Sequence, residues 1–358
     1  MVVNCVTPTR KEIQTACGMA DRQLRLLCLD GGGIRGLASL YLLKKIMSYV
    51  GDKKPCEFFD MICGTSTGGL IAIMLGRLEM SIDECIEAFT SMMDIVFVRS
   101  HKLPFKWTNG RVQARYDTKA LEKCIANVIQ KAGHGGARMR VADIPTCKTF
   151  VVAMSAEAVT PVHFTNYHKP GESAMYDNVT ILEAALATSA ATTFFEPKKI
   201  LSGGIYRTFL DAGLGENNPI NRLWIEAKGQ FGPGALEPQI RCLLSIGTGR
   251  PSLSAFGERL KDVGQSIIDI ATETTNTANN FYEMHEELTN RDGYIRFNPP
   301  DISEIGLDEV RERGTIEART EVYVLDPFVR EWMLRFKQAS GSEESASFRA
   351  LNSFEEFA

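Results

Sequence analysis

Phe58-Phe59-Asp60-Met61-Ile62-Cys63-Gly64-Thr65-Ser66-Thr67-Gly68-Gly69-Leu70-Ile71-Ala72-Ile73-Met74-Leu75 is the stretch on which the fold turns. Its first part, Phe58 to Cys63, predicts a short buried strand; its last part, from Gly68 to Gly76, predicts a mostly buried helix. Between them lies Gly64-Thr65-Ser66-Thr67-Gly68, a G-x-S-x-G pattern in a strand-to-helix setting. A turn that sharp holds its central residue in strained backbone. Glycines two residues before and after it leave room for strand and helix to close. Ser66 is therefore a candidate nucleophile, with Gly64 and Gly68 as its elbow and Thr65 and Thr67 read as structural.

Toward the N-terminus, Arg25-Leu26-Leu27-Cys28-Leu29-Asp30 reads as another buried strand, ending at Gly31-Gly32-Gly33, and a helix follows over Ile34 to Val50. Strand, helix, strand, helix within about fifty residues is a βαβ pattern, which implies parallel pairing. Further along, helices are predicted over Ile82–Met93, Thr118–Lys131, Ile181–Ala191 and Val329–Gln338, with a helical pattern from about 255 to 290. Strands are predicted over Phe150–Met154, Tyr206–Leu210, Arg241–Ile246 and Tyr294–Phe297. The expectation is an α/β fold in a single domain, with a central, largely parallel sheet flanked by helices. Residues 1–23 read as a polar leader, 24–250 as the core, and 251–338 as a helical extension packed on it. Residues 339–358, rich in Ser and Glu, read as a disordered tail.

The 358 residues are 44% hydrophobic and 23% charged, an ordinary globular composition, with a formal net charge of −4. That balance lacks the basic stripe of a nucleic-acid partner. The 9 cysteines are scattered without a CxxC pair, which fits a reducing cytosol, and Cys28 and Cys63 read as small core residues. Neither cysteines nor histidines show metal-ligand spacing, so no metal is expected. Arg10, Lys11 and Glu12 interrupt the first twenty residues, which argues against a cleaved signal peptide. No window is long and apolar enough to span a bilayer, so any membrane is met from outside.

Asp30-Gly31-Gly32-Gly33-Ile34-Arg35-Gly36 fits G-x-G-x-x-G, which raises a dinucleotide site. That site also needs an acid at the end of the next strand, where this chain has Cys63-Gly64-Thr65-Ser66. The same glycines suit an oxyanion hole, because they let several N–H groups crowd one negative oxygen, and Arg35 adds positive charge. Asp211, in Asp211-Ala212-Gly213, taken alone is a cap or turn residue. Its weight comes from company, since Ser66 needs a base. His285 gives the order Ser, Asp, His of the α/β-hydrolase triad, yet it falls in what reads as a solvent-facing helix. His101, His134, His163 and His168 carry no feature that selects one.

In order along the chain, Asp-Gly-Gly-Gly-Ile-Arg-Gly at 30–36, Gly-Thr-Ser-Thr-Gly at 64–68 and Asp-x-Gly at 211–213 resemble the patatin-like phospholipase family. Ala187-Thr188-Ser189-Ala190-Ala191 and Ser245-Ile246-Gly247-Thr248-Gly249 add to the likeness, which runs over roughly 24–250. The resemblance implies a three-layer fold and a Ser66–Asp211 dyad without histidine. It also implies an oxyanion held by Gly31, Gly32 and Gly33 with Arg35, and an acyl-enzyme intermediate. The implied substrates are fatty-acyl esters of phospholipids, lysophospholipids or neutral glycerolipids, hydrolysed without calcium or any cofactor. A regulatory module of a larger assembly that keeps this fold is the alternative, ahead of an α/β-hydrolase triad or a nucleotide-binding oxidoreductase. The family commonly has Gly where this chain has Ala212, which would cost about 1 kcal/mol if that position needs positive φ.

A carboxylate with the ordinary pKa of about 3.9 is a weak base. Asp211 is therefore expected to be partly desolvated, with a raised pKa. Segment 94–107 interleaves aromatic and basic residues; Phe105 and Trp107, with Lys102 and Lys106, read either as an ordinary packed loop or as a contact with a bilayer surface.

Overall fold

Strand β1 (Leu24–Leu29) sends alternate side chains to opposite sides: Leu27 and Leu29 enter one apolar cluster, Leu26 and Cys28 another. The same alternation recurs in β2 (Met61–Thr65), where Ile62 faces the first cluster and Met61 and Cys63 the second. A strand buried on both faces belongs to a sheet with a layer on each side. The structure, a computed structural model, describes residues 23–97, 107–108, 111–112, 114–169, 174–192, 194–232, 234–250 and 263–341. The 1–23 leader, apart from Gln23, and the tail beyond Gly341 lie outside them, as does Phe105; for Trp107 only the backbone is described.

Eight of the described strands form one sheet. It contains β1, β2, β5 (Lys148–Ser155), β6 (Thr160–Thr165), β7 (Lys198–Ser202), β8 (Ile205–Asp211), β9 (Ile240–Ile246) and β10 (Tyr294–Phe297). The short pair β3 (Trp107–Thr108) and β4 (Arg111–Val112) stands apart. The order β10-β9-β1-β2-β5 is parallel throughout, as the βαβ pattern implies. Strands β6 and β8 run antiparallel to β5, and β7 antiparallel to β8. Helices Gly36–Ser48, Ile82–Val96 and Thr118–Lys131 pack on one face, and helix Ile220–Phe231 on the other. The fold is α/β in three layers. Strand β10 lies beyond residue 250 yet hydrogen-bonds β9, so the C-terminal segment contributes to the sheet itself.

Several boundaries differ from the sequence reading. Phe58 ends a one-turn helix, Pro55–Phe58, and β2 starts only at Met61. Proline at the first helical position and the Glu57 carboxylate on the Lys54 N–H start that turn. Helix Ile181–Thr188 stops three residues earlier than its apolar run, and the freed residues reach the site described below. Helix Arg313–Leu325 and strands β6 and β7 were not anticipated.

The parallel half meets at a buried ion pair. Cys28, Ser245 and Arg296 lie in one register row across β1, β9 and β10. From there Arg296 donates to Asp30, which is 0% exposed, at 2.5 and 3.3 Å, and to Ser245 Oγ at 2.6 Å. Burial works against the Arg296 charge, but the Asp30 carboxylate more than offsets it and raises its pKa. Arg296→Met leaves a buried carboxylate unpaired and is expected to cost about 3–5 kcal/mol in urea denaturation. Adding Asp30→Asn to it recovers most of that loss; equal stability of the wild type and Arg296→Met contradicts this role.

Candidate active site

Strand β6 occupies one edge of β5, so β2 and β8 share the other. Thr65 at the end of β2 pairs with Val152, and Asp211 at the end of β8 pairs with Ala153. The two strands run in opposite directions and meet end to end. Ser66 and Asp211 arrive at the same point although 145 positions separate their numbers in the chain.

Ser66 sits at φ 56°, ψ −128°, a strained conformation that helix Thr67–Ala72 follows at once. The elbow leaves no space for side chains at its two glycines. A Cβ on Gly64 would lie 2.2 Å from Gly68 O, and one on Gly68 would lie 2.4 Å from Asp30 O. The turn is pinned by Thr188, whose hydroxyl donates to Val152 O at 2.7 Å and accepts from Ser66 N–H at 3.0 Å. Thr65 and Thr67 act structurally, as expected: Thr65 donates to Glu216 O at 2.7 Å, and Thr67 Oγ1 accepts from Gly32 N–H at 3.2 Å.

Asp211 is held from the same helix end. Its N–H donates to Ala190 O at 2.9 Å, while its Oδ1 accepts from Gly213 N–H at 2.7 Å. Burial raises its pKa to about 6, against the opposing pull of the Ser66 hydroxyl nearby and of the Gly213 N–H that hydrogen-bonds it. A group of that pKa is ionised at neutral pH and still basic enough to take a proton. Ala212 is buried in the second cluster and is not among the positive-φ residues, so replacing glycine there costs no backbone strain.

The glycine loop packs directly on the elbow. A Cβ on Gly31 would lie 2.9 Å from Ser66 Cβ and 2.4 Å from Asn217 Oδ1, so no side chain fits there. Gly31 N–H donates to Asn217 O at 3.1 Å, and Gly31 O accepts from Thr248 at 2.7 Å and from Asn217 Nδ2 at 3.1 Å. Gly32 N–H goes to Thr67, as above. Gly33, at φ 58°, lines the pocket beside Ser66, and among the described residues no hydrogen bond takes its N–H. Arg35 does not line that pocket: its buried guanidinium donates to Gly32 O at 3.3 Å and Ser303 O at 3.2 Å. Burial lowers its pKa to about 10, so it stays charged and braces the loop from behind. Of the four residues expected at an oxyanion, Gly33 is therefore the one that lines the pocket and whose N–H has no acceptor among the described residues.

The model of the family described as Patatin-like phospholipase matches residues 27–224, which carry all three motifs. The chain belongs to the patatin-like phospholipase family. It is 31% identical to human (Homo sapiens) calcium-independent phospholipase A2-gamma over 87% of its length, and spans 40% of that protein. It is 32% identical to the cGAMP-activated phospholipase of Vibrio cholerae over 55% of its length and 56% of that chain. To Arabidopsis thaliana Phospholipase A I it is 27% identical over 78% of its length and 25% of that protein.

This patatin-like site has no histidine among its described lining residues. His285 is not solvent-facing: it packs against Trp224 and Phe281, with ring centroids at 4.1 and 4.4 Å, and its Nδ1 meets Glu237 at 2.5 Å. His163 is held at 2.5 Å from Glu226, which also binds Lys169. Cys28 and Cys63 are buried in the sheet, as read from their apolar runs.

The sequence reading named the patatin-like motifs but not the residues that align them: Thr188, Asn217 and Thr248. Their signal was present in the flanking elements, yet a hydroxyl or amide aimed at a distant carbonyl leaves no periodic trace. Thr188→Val keeps the shape and removes both hydrogen bonds. It is expected to lower kcat on an ester substrate by about 10–100-fold with KM little changed, because Ser66 shifts against Asp211. Thr188→Ser restores the rate; a Val variant of wild-type kcat contradicts this role.

Proposed function

We propose that the chain is a serine lipid acyl hydrolase of the calcium-independent phospholipase A or lysophospholipase type, acting through Ser66 and Asp211. The observation that carries it is Ser66, on a strained elbow, brought by the abutting ends of β2 and β8 to the same point as Asp211, whose pKa burial raises to about 6. The names of the relatives, phospholipases in bacterium, plant and mammal, support an acyl ester of a phospholipid as substrate.

In the first step the Ser66 Oγ–H proton passes to Asp211 as Oγ attacks the ester carbonyl carbon. The carbonyl oxygen becomes an oxyanion beside Ser66 and takes the Gly33 N–H. Gly32 N–H, held by Thr67 at 3.2 Å, is the second donor once it turns from that long bond. The C–O bond to the alcohol breaks, and the leaving oxygen takes the proton from Asp211. Water then gives a proton to Asp211 and attacks the acyl-Ser66 carbonyl; its oxygen joins the fatty acid, and Ser66 regains its hydrogen. No histidine is needed, because the raised pKa of Asp211 supplies the basicity.

No helix of the described residues is long and apolar enough to cross a membrane, so lipid is proposed to be met at a bilayer surface. The segment carrying Phe105 and Trp107 remains the proposed contact.

A fluorophosphonate probe is expected to label the wild-type chain at Ser66, and Ser66→Ala to abolish both labelling and fatty-acid release from phosphatidylcholine vesicles. A calcium chelator should change neither. Labelling that survives Ser66→Ala, or a wild-type chain that takes no probe, overturns the proposal.

A further inference from the structure

The pocket at Ser66 is lined mostly by apolar side chains, among them Leu70, Phe97, Phe195 and Leu307, with Ser66, Thr67 and Ser189 as its polar residues. None of its described lining residues is charged, so it suits a hydrocarbon chain better than a phosphate head group.

Leu307 comes from a segment well beyond the residues the family model matches. Its carbonyl accepts from Ile34 N–H at 2.9 Å, and its backbone presses on Gly33 so closely that a Cβ there would meet Leu307 O at 2.1 Å. The next residue, Asp308, anchors the opposite wall. Its carboxylate accepts from the Tyr116 hydroxyl and lies 3.2 Å from Arg115. Tyr116 sets its ring edge-on to Phe97, with centroids 5.1 Å apart, and its N–H donates to Phe194 O at 3.0 Å. Arg115 lies over the Phe194 ring, 5.2 Å from its centroid. A single carboxylate thus ties the aromatic wall to the leucine beside the oxyanion loop and fixes the width between them. The chemistry at Ser66 and Asp211 does not require such a clamp.

We infer that Leu307, clamped through Asp308, sets the length of the acyl chain that this pocket accepts. The inference rests on the ester-hydrolase reading and adds to it the part of the substrate that is measured. In an apolar pocket each methylene gained or lost shifts selectivity strongly.

The test is kcat/KM of the full chain on p-nitrophenyl butyrate, octanoate and palmitate, for wild type, Leu307→Trp and Leu307→Ala. The tryptophan fills the pocket and is expected to lower the palmitate-to-butyrate ratio by about tenfold or more. The alanine widens it and is expected to move the ratio the other way, which a merely destabilised chain does not do. Ratios unchanged in both variants, with Ser66 still labelled by a fluorophosphonate, overturn the acyl-pocket inference alone. A wild-type chain that takes no probe and cleaves none of the esters brings down the hydrolase reading beneath it.

Discussion

Along one edge of β5, two strands of opposite direction compete for the same row of backbone groups. Strand β2 holds that edge as far as Val152, and β8 holds it from Ala153 onward. Neither extends further without displacing the other, so both chains must turn away there. One turns through Ser66 into a helix, and the other through Asp211 into Ala212 and Gly213. Val152 O lies where the β2 pairing ends, and the Thr188 hydroxyl satisfies it while gripping the Ser66 N–H. The meeting of Ser66 and Asp211 is thus a consequence of sheet topology. A single threonine then adjusts it.

The same constraint explains why the surroundings are so short of side chains. An elbow that turns within one residue brings Gly64 against Gly68, and the glycine loop after β1 is drawn against Ser66 itself. Loop groups that might have faced solvent instead hold one another: Gly31 with Asn217 and Thr248, Gly32 with Thr67. Asp30 and Arg296 anchor the loop from below, and Arg35 braces it through Gly32 O and Ser303 O. The loop is thus held from several sides, and Gly33 N–H is left without an acceptor among the described residues.

What was legible in the sequence follows from what leaves a local pattern. The parallel strands β1, β2 and β9 are buried on both faces and read as apolar runs. Strand β7, Lys-Lys-Ile-Leu-Ser at the sheet edge, buries only Ile200 and Ser202, so its apolar signal is too weak to read. Helix Arg313–Leu325 buries little more than Ile316, Thr320 and Val324, a stripe one residue wide. Phe58 and Phe59 looked like strand because they are large and apolar, while the proline three residues earlier had already started a turn of helix. At the site, Ser66 and the two elbow glycines stood out because strain and close approach restrict residue type, whereas Asp211 was singled out only by its place in the family's pattern. The expected role of Arg35 was not, since only the fold decides which side of a loop a guanidinium reaches. Leu307 and Asp308 carry no motif at all; their placement comes from β10 joining the sheet and returning the chain across Gly33.

In the proposed mechanism the raised basicity of Asp211 lets two residues do the work of three, and it can be measured directly. The rate of Ser66 phosphonylation by a fluorophosphonate, followed from acid to neutral pH, reports the fraction of Asp211 able to accept a proton. The rate is predicted to rise with pH and level off above a midpoint near 6, as the buried carboxyl ionises, and Asp211→Asn is predicted to be slow and flat across the range. A midpoint at or below about pH 4, the value of a solvated carboxylate, or a wild-type profile in Asp211→Asn, would contradict it.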